Sequence, residues 1–395
     1  MTAARLVARC VRGLEATVAA EVLDRGLGTI TWLGHREVHF RTGGRSGTAD
    51  PAGPARLRTA DDVFLLAGRM PDPGPGRPEL AGLTRLAEDA ESALARHGRA
   101  PGRQGPPSGI EVSASFLGKR QFTRFDAEDT VGRAVARRLG RDYHSRRNDT
   151  RPPPGCLGWR LTLDGTHATL LLRLTERPLH RRPYKQRTIP GTLHPPLAAA
   201  MARDAEIQEG QRVLDPCCGA GTLLIEAQHA RPGARYVGFD LDPAALRAAR
   251  ANSAGLSRHQ HPGVGDHPSL DLEHADAAQL PLPDGSVDRV LCNPPWGGQV
   301  GAGGALTERP ELWWAQLRRV LAPDGQAVLL LPGTDGLGDA LRQRLTPVQV
   351  RQLRVSGAWA YLVRLRAETA PRRKERRQGA GASARVPPAH RGRGG

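Results

Sequence analysis

The sequence predicts an α/β chain whose C-terminal half is a doubly wound, mostly parallel sheet, preceded by two smaller α+β modules. Three observations carry this expectation. From about Pro195 to Leu365, short apolar strands alternate with helical stretches, the pattern of βαβ units. The first of these strands runs into its helix through a Gly-x-Gly turn, Gly219-Ala-Gly221. Before Pro195 the apolar residues instead alternate in short runs joined by tight turns, one of them Asp164-Gly165. The 395 residues suffice for two to four domains with a sizeable core. With 39% hydrophobic and 25% charged residues the composition is globular. No apolar run approaches the roughly 18–20 residues of a membrane span.

The elements follow in order. Arg5–Arg12 alternates as a strand, Gly13 breaks it, and Leu14–Leu23 has helical spacing. Thr29–Leu33 and Glu37–Arg41 flank a Gly-His turn, and Ala60–Ala67 reads as helix-like. This first module spans 1–70. After the break Pro71–Pro78, Glu79–His97 places Leu80, Leu83, Leu86, Ala90 and Leu94 on one helical face. A second Pro/Gly-rich linker covers Gly98–Gly109, and Ile110–Phe116 alternates as a strand. Asp126 is the expected N-cap of a helix through Val131, Val135 and Leu139, stopped by Gly140. Trp159–Leu163 and Thr166–Leu174 form the Asp-Gly hairpin, which closes a second module over 79–175. The third unit, 176–366, contains strands at Val213–Asp215, Arg235–Asp240, Val287–Cys292 and Ala327–Leu331, and helices at Thr222–His229, Pro243–Asn252 and Pro310–Leu321. It ends in two strands, Val348–Val355 and Ala358–Leu365. Residues 367–395 are mostly Arg, Gly, Ala and Pro with almost nothing to bury, and read as a disordered basic tail.

Charge is unevenly placed. The net charge is +17, with +12 in residues 1–196, −1 in 197–366 and +6 in 367–395. Compositional drift alone would spread it, so the N-terminal half is expected to meet a polyanion, most simply nucleic acid. The five cysteines, at 10, 156, 217, 218 and 292, form no CxxC pair. That speaks against a zinc site or disulfide framework and for a reducing cytoplasm, with no metal.

Four motifs carry chemistry. Val213-Leu-Asp-Pro-Cys-Cys-Gly-Ala-Gly-Thr222 is a strand, a glycine turn and a helix. Asp215 at the strand tip suits a ligand with a positive group. Leu224 stands where a dinucleotide fingerprint needs a third glycine, which argues against a pyrophosphate. Gly238-Phe-Asp-Leu-Asp242 puts Asp240 about 20 residues on, where a carboxylate suits ribose hydroxyls, while Asp242 caps the next helix. In His274-Ala-Asp-Ala277, Asp276 ends a short third strand and can accept from an adenine amino group. Asn293-Pro-Pro-Trp296 follows the buried strand directly. Its prolines donate no backbone hydrogen bonds, leaving an acceptor corner of the Asn293 side-chain oxygen and a proline carbonyl. Such a corner receives both hydrogens of an exocyclic NH2, and Trp296 can stack on the base.

These residues in this order resemble a class I S-adenosylmethionine methyltransferase of the amino-methylating NPP[YFW] type. The N-terminal half resembles a ferredoxin-like domain followed by the THUMP RNA-binding module, through Gly13-Leu-Glu15, Leu57-Arg-Thr-Ala-Asp61 and Phe116–Arg124. Arg177–Tyr184 and His194-Pro-Pro-Leu-Ala-Ala-Ala200 resemble the family's junction and first cofactor-contacting segment. The resemblance implies a Rossmann-like seven-stranded sheet and a tRNA guanine-N2 methyltransferase acting as a monomer, with position 6 of the acceptor stem the leading target. It implies S-adenosyl-L-methionine held by Pro196, Asp215, Cys217, Gly219, Gly221, Thr222, Asp240, Leu241, Asp276, Ala277 and Asn293. Asn293, Pro294 and Trp296 would serve the reaction. Lys119, Arg120, Arg124, Arg181, Arg182, Lys185 and Arg187 are candidate phosphate contacts. A 23S rRNA guanine-N2 methyltransferase and a non-catalytic RNA-binding protein remain the alternatives. The loop after Trp296, Gly297–Gly304, departs from relatives that often carry a basic residue there.

Overall fold

The computed structural model describes residues 3–43, 53–97, 106–258, 270–295 and 303–368. Two seven-stranded sheets organise them. The first contains β1 (Arg5–Arg9), β2 (Thr29–Gly34), β3 (Glu37–Arg41), β4 (Asp62–Pro71), β5 (Ile110–Phe116), β6 (Leu157–Leu163) and β7 (His167–Arg173), in the order β2-β3-β1-β4-β7-β6-β5. Helices α1 (Glu15–Asp24), α2 (Ala90–His97) and α3 (Arg124–Leu139) accompany it. The antiparallel pairing of β4 with β7, from Phe64 opposite Arg173 to Pro71 opposite His167, joins both N-terminal modules in one sheet.

Three local expectations are corrected here. Ala60–Ala67 is not helical: it enters β4, which lies between β1 and β7. A short continuous apolar run cannot distinguish a buried strand from a buried helix by periodicity. Glu79–His97 is not one helix. Pro78–Ala87 forms 3-10 turns, and α2 starts only at Ala90. The N-cap of α3 is Thr123, whose hydroxyl accepts from the Asp126 N–H, while the Asp126 carboxylate accepts from the Thr123 N–H. Asp126 is thus the reciprocal partner in a capping box, three residues into the motif.

The second sheet is built from β8 (Arg212–Asp215), β9 (Arg235–Asp240), β10 (Asp271–His274), β11 (Val287–Cys292), β12 (Leu321–Leu331), β13 (Leu345–Val355) and β14 (Ala358–Ala367). Its order is β10-β9-β8-β11-β12-β14-β13, with β10 to β12 parallel and β14 antiparallel to both neighbours. This is the mixed, doubly wound sheet of class I methyltransferases. Helices α4 (Pro195–Asp204), α5 (Thr222–Ala230), α6 (Pro243–Arg258), α7 (Leu312–Val320) and α8 (Leu337–Arg342) complete the unit. Both faces of the central strands are covered, so β8 and the ends of β11 and β12 nearest the cleft are apolar on both sides. Val290 and Cys292 of β11 enter one core and Leu291 the other; Leu329 and Leu330 of β12 divide in the same way. The core holding Leu291 and Leu330 continues into the N-terminal sheet through Leu6 and Leu65 and onto α1 through Val18.

The two halves also meet through polar contacts. The fully buried Glu226 carboxylate on α5 takes Arg58 at 2.6 Å, Arg182 at 2.9 Å and the Tyr184 hydroxyl at 2.7 Å. Against its burial, the two guanidinium groups hold it below the usual carboxylate range. At the other contact, the Arg354 N–H donates to the Arg12 carbonyl at 3.1 Å. Gly13 beside it has φ +98°, and a Cβ there would lie 2.5 Å from the Gln352 carbonyl, so only glycine permits this approach.

Candidate active site

The strand order reverses between β8 and β11, whose carboxyl ends therefore flank a crevice where ligands bind in open α/β sheets. A cleft of about 1440 Å3 occupies that position. Asp215 ends β8, Asp240 ends β9, and Asn293 follows β11; all three line it, with Cys217, Gly219, Thr222, Leu241, Asp276, Ala277, Pro294 and Pro295.

The strand tips are tied together by backbone donors. The Cys217 N–H donates to Asp215 at 3.1 Å, and the Gly219 N–H to Asp240 at 2.8 Å. Asp240 also accepts from the Asp242 N–H at 2.9 Å, and Asp242 caps α6 by accepting from the Ala244 N–H. Asp276 lies two residues beyond β10, not at its end, and accepts from the N–H groups of Ala278 and Ala305 at 2.8 and 2.9 Å. It thereby joins the third strand's exit to the segment beginning at Gly303.

Asp215 is the electrostatic anomaly. Burial pushes its carboxyl up to about 7, although the Cys217 N–H and the Cys292 thiol hydrogen-bond to it. Nearby Asp240 adds a like charge. A carboxylate so short of positive charge suits a ligand that brings some. The Thr222 hydroxyl, at the start of α5, is buried with no partner among the described residues. An aminoacyl sulfonium with ribose and adenine supplies the missing charge and hydrogen-bonding groups, so the residues present fit S-adenosyl-L-methionine.

Some expected contacts lie elsewhere. Pro196 is buried in the first turn of α4 and is absent from the cleft lining, which Ile189–His194 provides instead. Gly221 is also outside the lining: it caps α5 at φ +76°, and a Cβ there would meet Ala249 at 3.1 Å. Its role in the structure is backbone conformation and close helix packing. Trp296 lies outside the described residues, as does the tail from residue 369.

The expected phosphate contacts divide. Lys119, Arg124, Arg181 and Arg187 are exposed. Lys185 is half-buried in the cleft wall, where desolvation lowers its pKa. Arg120 and Arg182 are corrected: their side chains are only 4% and 5% exposed. Arg120 clamps Asp72 at 2.7 Å and Arg182 holds Glu226, so neither guanidinium faces a solvent-borne phosphate.

Residues of the N-terminal half also reach the cleft. Asp61 accepts from His194 Nε2 at 2.8 Å and lies 3.4 Å from Arg36; all three line the cavity. Asn252, wholly buried on α6, accepts from the N–H groups of Gln186 and Arg187 at 2.9 and 2.8 Å and donates to the Ala220 and Arg187 carbonyls. It fixes the cleft wall around Lys185 against the glycine turn. Neither arrangement has a local sequence signal, since partners are separated by 133 and 66 positions. Among the described residues, no three His, Cys, Asp or Glu side chains gather as a metal site requires, and no helix is long and apolar enough to cross a membrane.

The sequence profile of the RMKL-like methyltransferase domain matches residues 182–360. A tRNA (guanine(6)-N2)-methyltransferase of Thermus thermophilus is 35% identical over 268 residues, covering 66% of this chain and 72% of that protein. A U6 snRNA (guanine-N(2))-methyltransferase of Mus musculus is 33% identical over 184 residues, 44% of this chain and 32% of that protein. The crystal structure of TrmN from Thermus thermophilus superposes with a TM-score of 0.68 at 26% identity, covering 92% of this chain and 99% of that one. The strand order, the cleft and these relatives agree: the chain belongs to the family of S-adenosyl-L-methionine-dependent RNA guanine-N2 methyltransferases with an RMKL-like catalytic domain.

Proposed function

We propose that the protein methylates the exocyclic N2 of a guanosine in tRNA, at position 6 of the acceptor stem. The observation that carries the reading is the Asn293-Pro294-Pro295 corner, set at the sheet's switch point in one cleft with Asp215, Asp240 and Asp276. S-adenosyl-L-methionine, when bound, supplies the activated methyl group. Asp215 and Thr222 would meet its charged and polar end, and Asp240, Leu241, Asp276 and Ala277 its nucleoside.

The chain's own contribution is positioning and electrostatics. Guanine N2 is conjugated with its ring and is a weak nucleophile. The Asn293 side-chain oxygen and the Pro294 carbonyl accept its two N–H bonds, which favours a pyramidal amine and directs its lone pair. The proton that becomes acidic on methylation leaves to water, so no high-pKa base is required. In a stem, N2 faces the minor groove, and the base must be flipped out to reach this corner. The basic N-terminal half, read as a ferredoxin-like domain (1–70) and a THUMP module (79–175), would hold the RNA through Lys119 and Arg124, helped by Arg181 and Arg187 at the start of the catalytic domain. The catalytic domain (176–366) would then act on the presented guanosine.

Two tRNA transcripts test this, one with guanosine at position 6 and one with inosine, which lacks the 2-amino group, assayed beside unmodified ribosomal RNA. Methyl incorporation into the first and none into the second is expected. Equal incorporation into both would move the target elsewhere, and incorporation into ribosomal RNA alone would replace the substrate.

A further inference from the structure

The β13–β14 hairpin brings a second set of groups to the cleft. Ser356 and Gly357 turn the chain with φ +49° and +85°, and the strands after and before them carry Trp359 and Arg354. Trp359 is 41% exposed. The guanidinium carbon of Arg354 lies 4.9 Å from its ring centroid, and that of Arg12, from the N-terminal half, 5.0 Å. Both arginines are exposed, and among the described residues neither has a carboxylate partner. Their neighbours differ: Arg9 pairs with Glu37, Arg36 with Asp61, Arg351 with Asp204. Unneutralised charge and a half-open indole are therefore concentrated at one place.

That place belongs to the methyl-transfer cleft, whose lining includes Arg354 and Trp359 together with Asn293. The register sets the spacing. Cys292 lies opposite Leu329, and Leu329 opposite Val363. Because β14 is antiparallel, Trp359 stands four residues beyond Val363 toward the carboxyl edge, the direction in which Asn293 leaves β11. At about 4.8 Å per strand and 3.3 Å per residue, Trp359 is roughly 10 Å across the sheet and roughly 10 Å further out than Asn293. A backbone hydrogen bond between Arg354 and Arg12 fixes the two halves at this point.

We propose that Arg12, Trp359 and Arg354 form a nucleotide platform that receives the residue flanking the flipped guanosine. Flipping one base strips its neighbour of a stacking partner. Indole and guanidinium planes replace that partner without regard to base identity, and the two charges meet the adjoining phosphates. The proposal rests on the RNA-methylating reading and adds to it a sequence-tolerant subsite built across both halves of the molecule.

The test compares wild type, Trp359→Ala and the double variant Arg12→Ala/Arg354→Ala. Steady-state methylation of tRNA, the affinity for S-adenosyl-L-methionine, thermal stability and the salt dependence of tRNA binding are all measured. Trp359→Ala is expected to raise KM for tRNA roughly tenfold, with kcat and cofactor affinity within about twofold. The double variant is expected to flatten the slope of log K against log salt by roughly 1.4, the value for two phosphate contacts on a single strand. An unchanged KM and slope would overturn the platform. So would joint loss of stability and cofactor affinity with the salt slope intact, since that outcome marks a brace between the halves. If wild type methylates no RNA the underlying reading fails, while the binding slopes still report on the platform.

Discussion

Asp215 ends β8 and Asn293 follows the neighbouring β11, and the proposed reaction gives them different roles. In that proposal Asn293 offers an acceptor beside two prolines that carry no N–H. Asn293→Ala is expected to lower kcat by about 10²–10³-fold while tRNA and cofactor affinities stay within a few-fold; near-normal single-turnover rates would refute its role. Asp215 is a buried carboxyl lifted to about 7 by desolvation. The folded protein holds this proton more tightly than the unfolded chain, whose aspartate titrates near 4. Its contribution to stability therefore falls as pH rises from roughly 4 to 7. A positive ligand favours the carboxylate, so cofactor affinity should rise with pH up to about 7, with proton release on binding below that. Calorimetry in buffers of different ionisation enthalpy reads this directly, and Asp215→Asn should abolish it.

At the scale of elements, the catalytic sheet is legible in the sequence because β8, β9 and β11 each lead directly into a chemical residue and helical periods separate them. Asp215, Asp240 and Asn293 all stand at carboxyl ends of parallel strands, where a switch-point crevice must form. The continuous apolar run of β4 does not announce a strand, because burial on both faces erases the alternation that distinguishes strand from helix. The burial of Arg120 and Arg182 is not legible locally because their acids, Asp72 and Glu226, lie 48 and 44 residues away. Asn252 is not legible at all, since one asparagine on an amphipathic helix says nothing of the loop it anchors. Its removal leaves the Gln186 and Arg187 N–H groups without their acceptor. Asn252→Ala should destabilise the protein by about 2–3 kcal/mol and weaken cofactor binding through the wall around Lys185. Chemical denaturation that shows no loss would contradict this assignment.

Across the whole molecule, the two halves share an apolar core and a buried polar cluster. The N-terminal sheet unites segments over 100 residues apart, pairing Phe64 with Arg173, which no local pattern announces. Glu226 joins Arg58 of one half to Arg182 and Tyr184 of the segment that enters the other. Its carboxyl is held below the usual range, so its stabilisation is complete above that range and is lost as pH falls through the folded-state pKa. Glu226→Gln leaves Arg182 buried without a counter-charge. A loss of about 3–5 kcal/mol is expected, with the two halves melting in separate calorimetric transitions. A variant that melts as wild type would show the cluster to be dispensable.

The charge asymmetry belongs to this scale too. An excess of +12 before residue 197 beside a nearly neutral catalytic half suits a protein that grips RNA with one half and modifies it with the other. The most direct measurement is incubation of the full chain with labelled S-adenosyl-L-methionine and unmodified tRNA and rRNA pools, followed by nucleoside mass spectrometry. The account expects the label as N2-methylguanosine in tRNA. Label confined to rRNA, label on a nucleoside other than guanosine, or no label in either pool would contradict it.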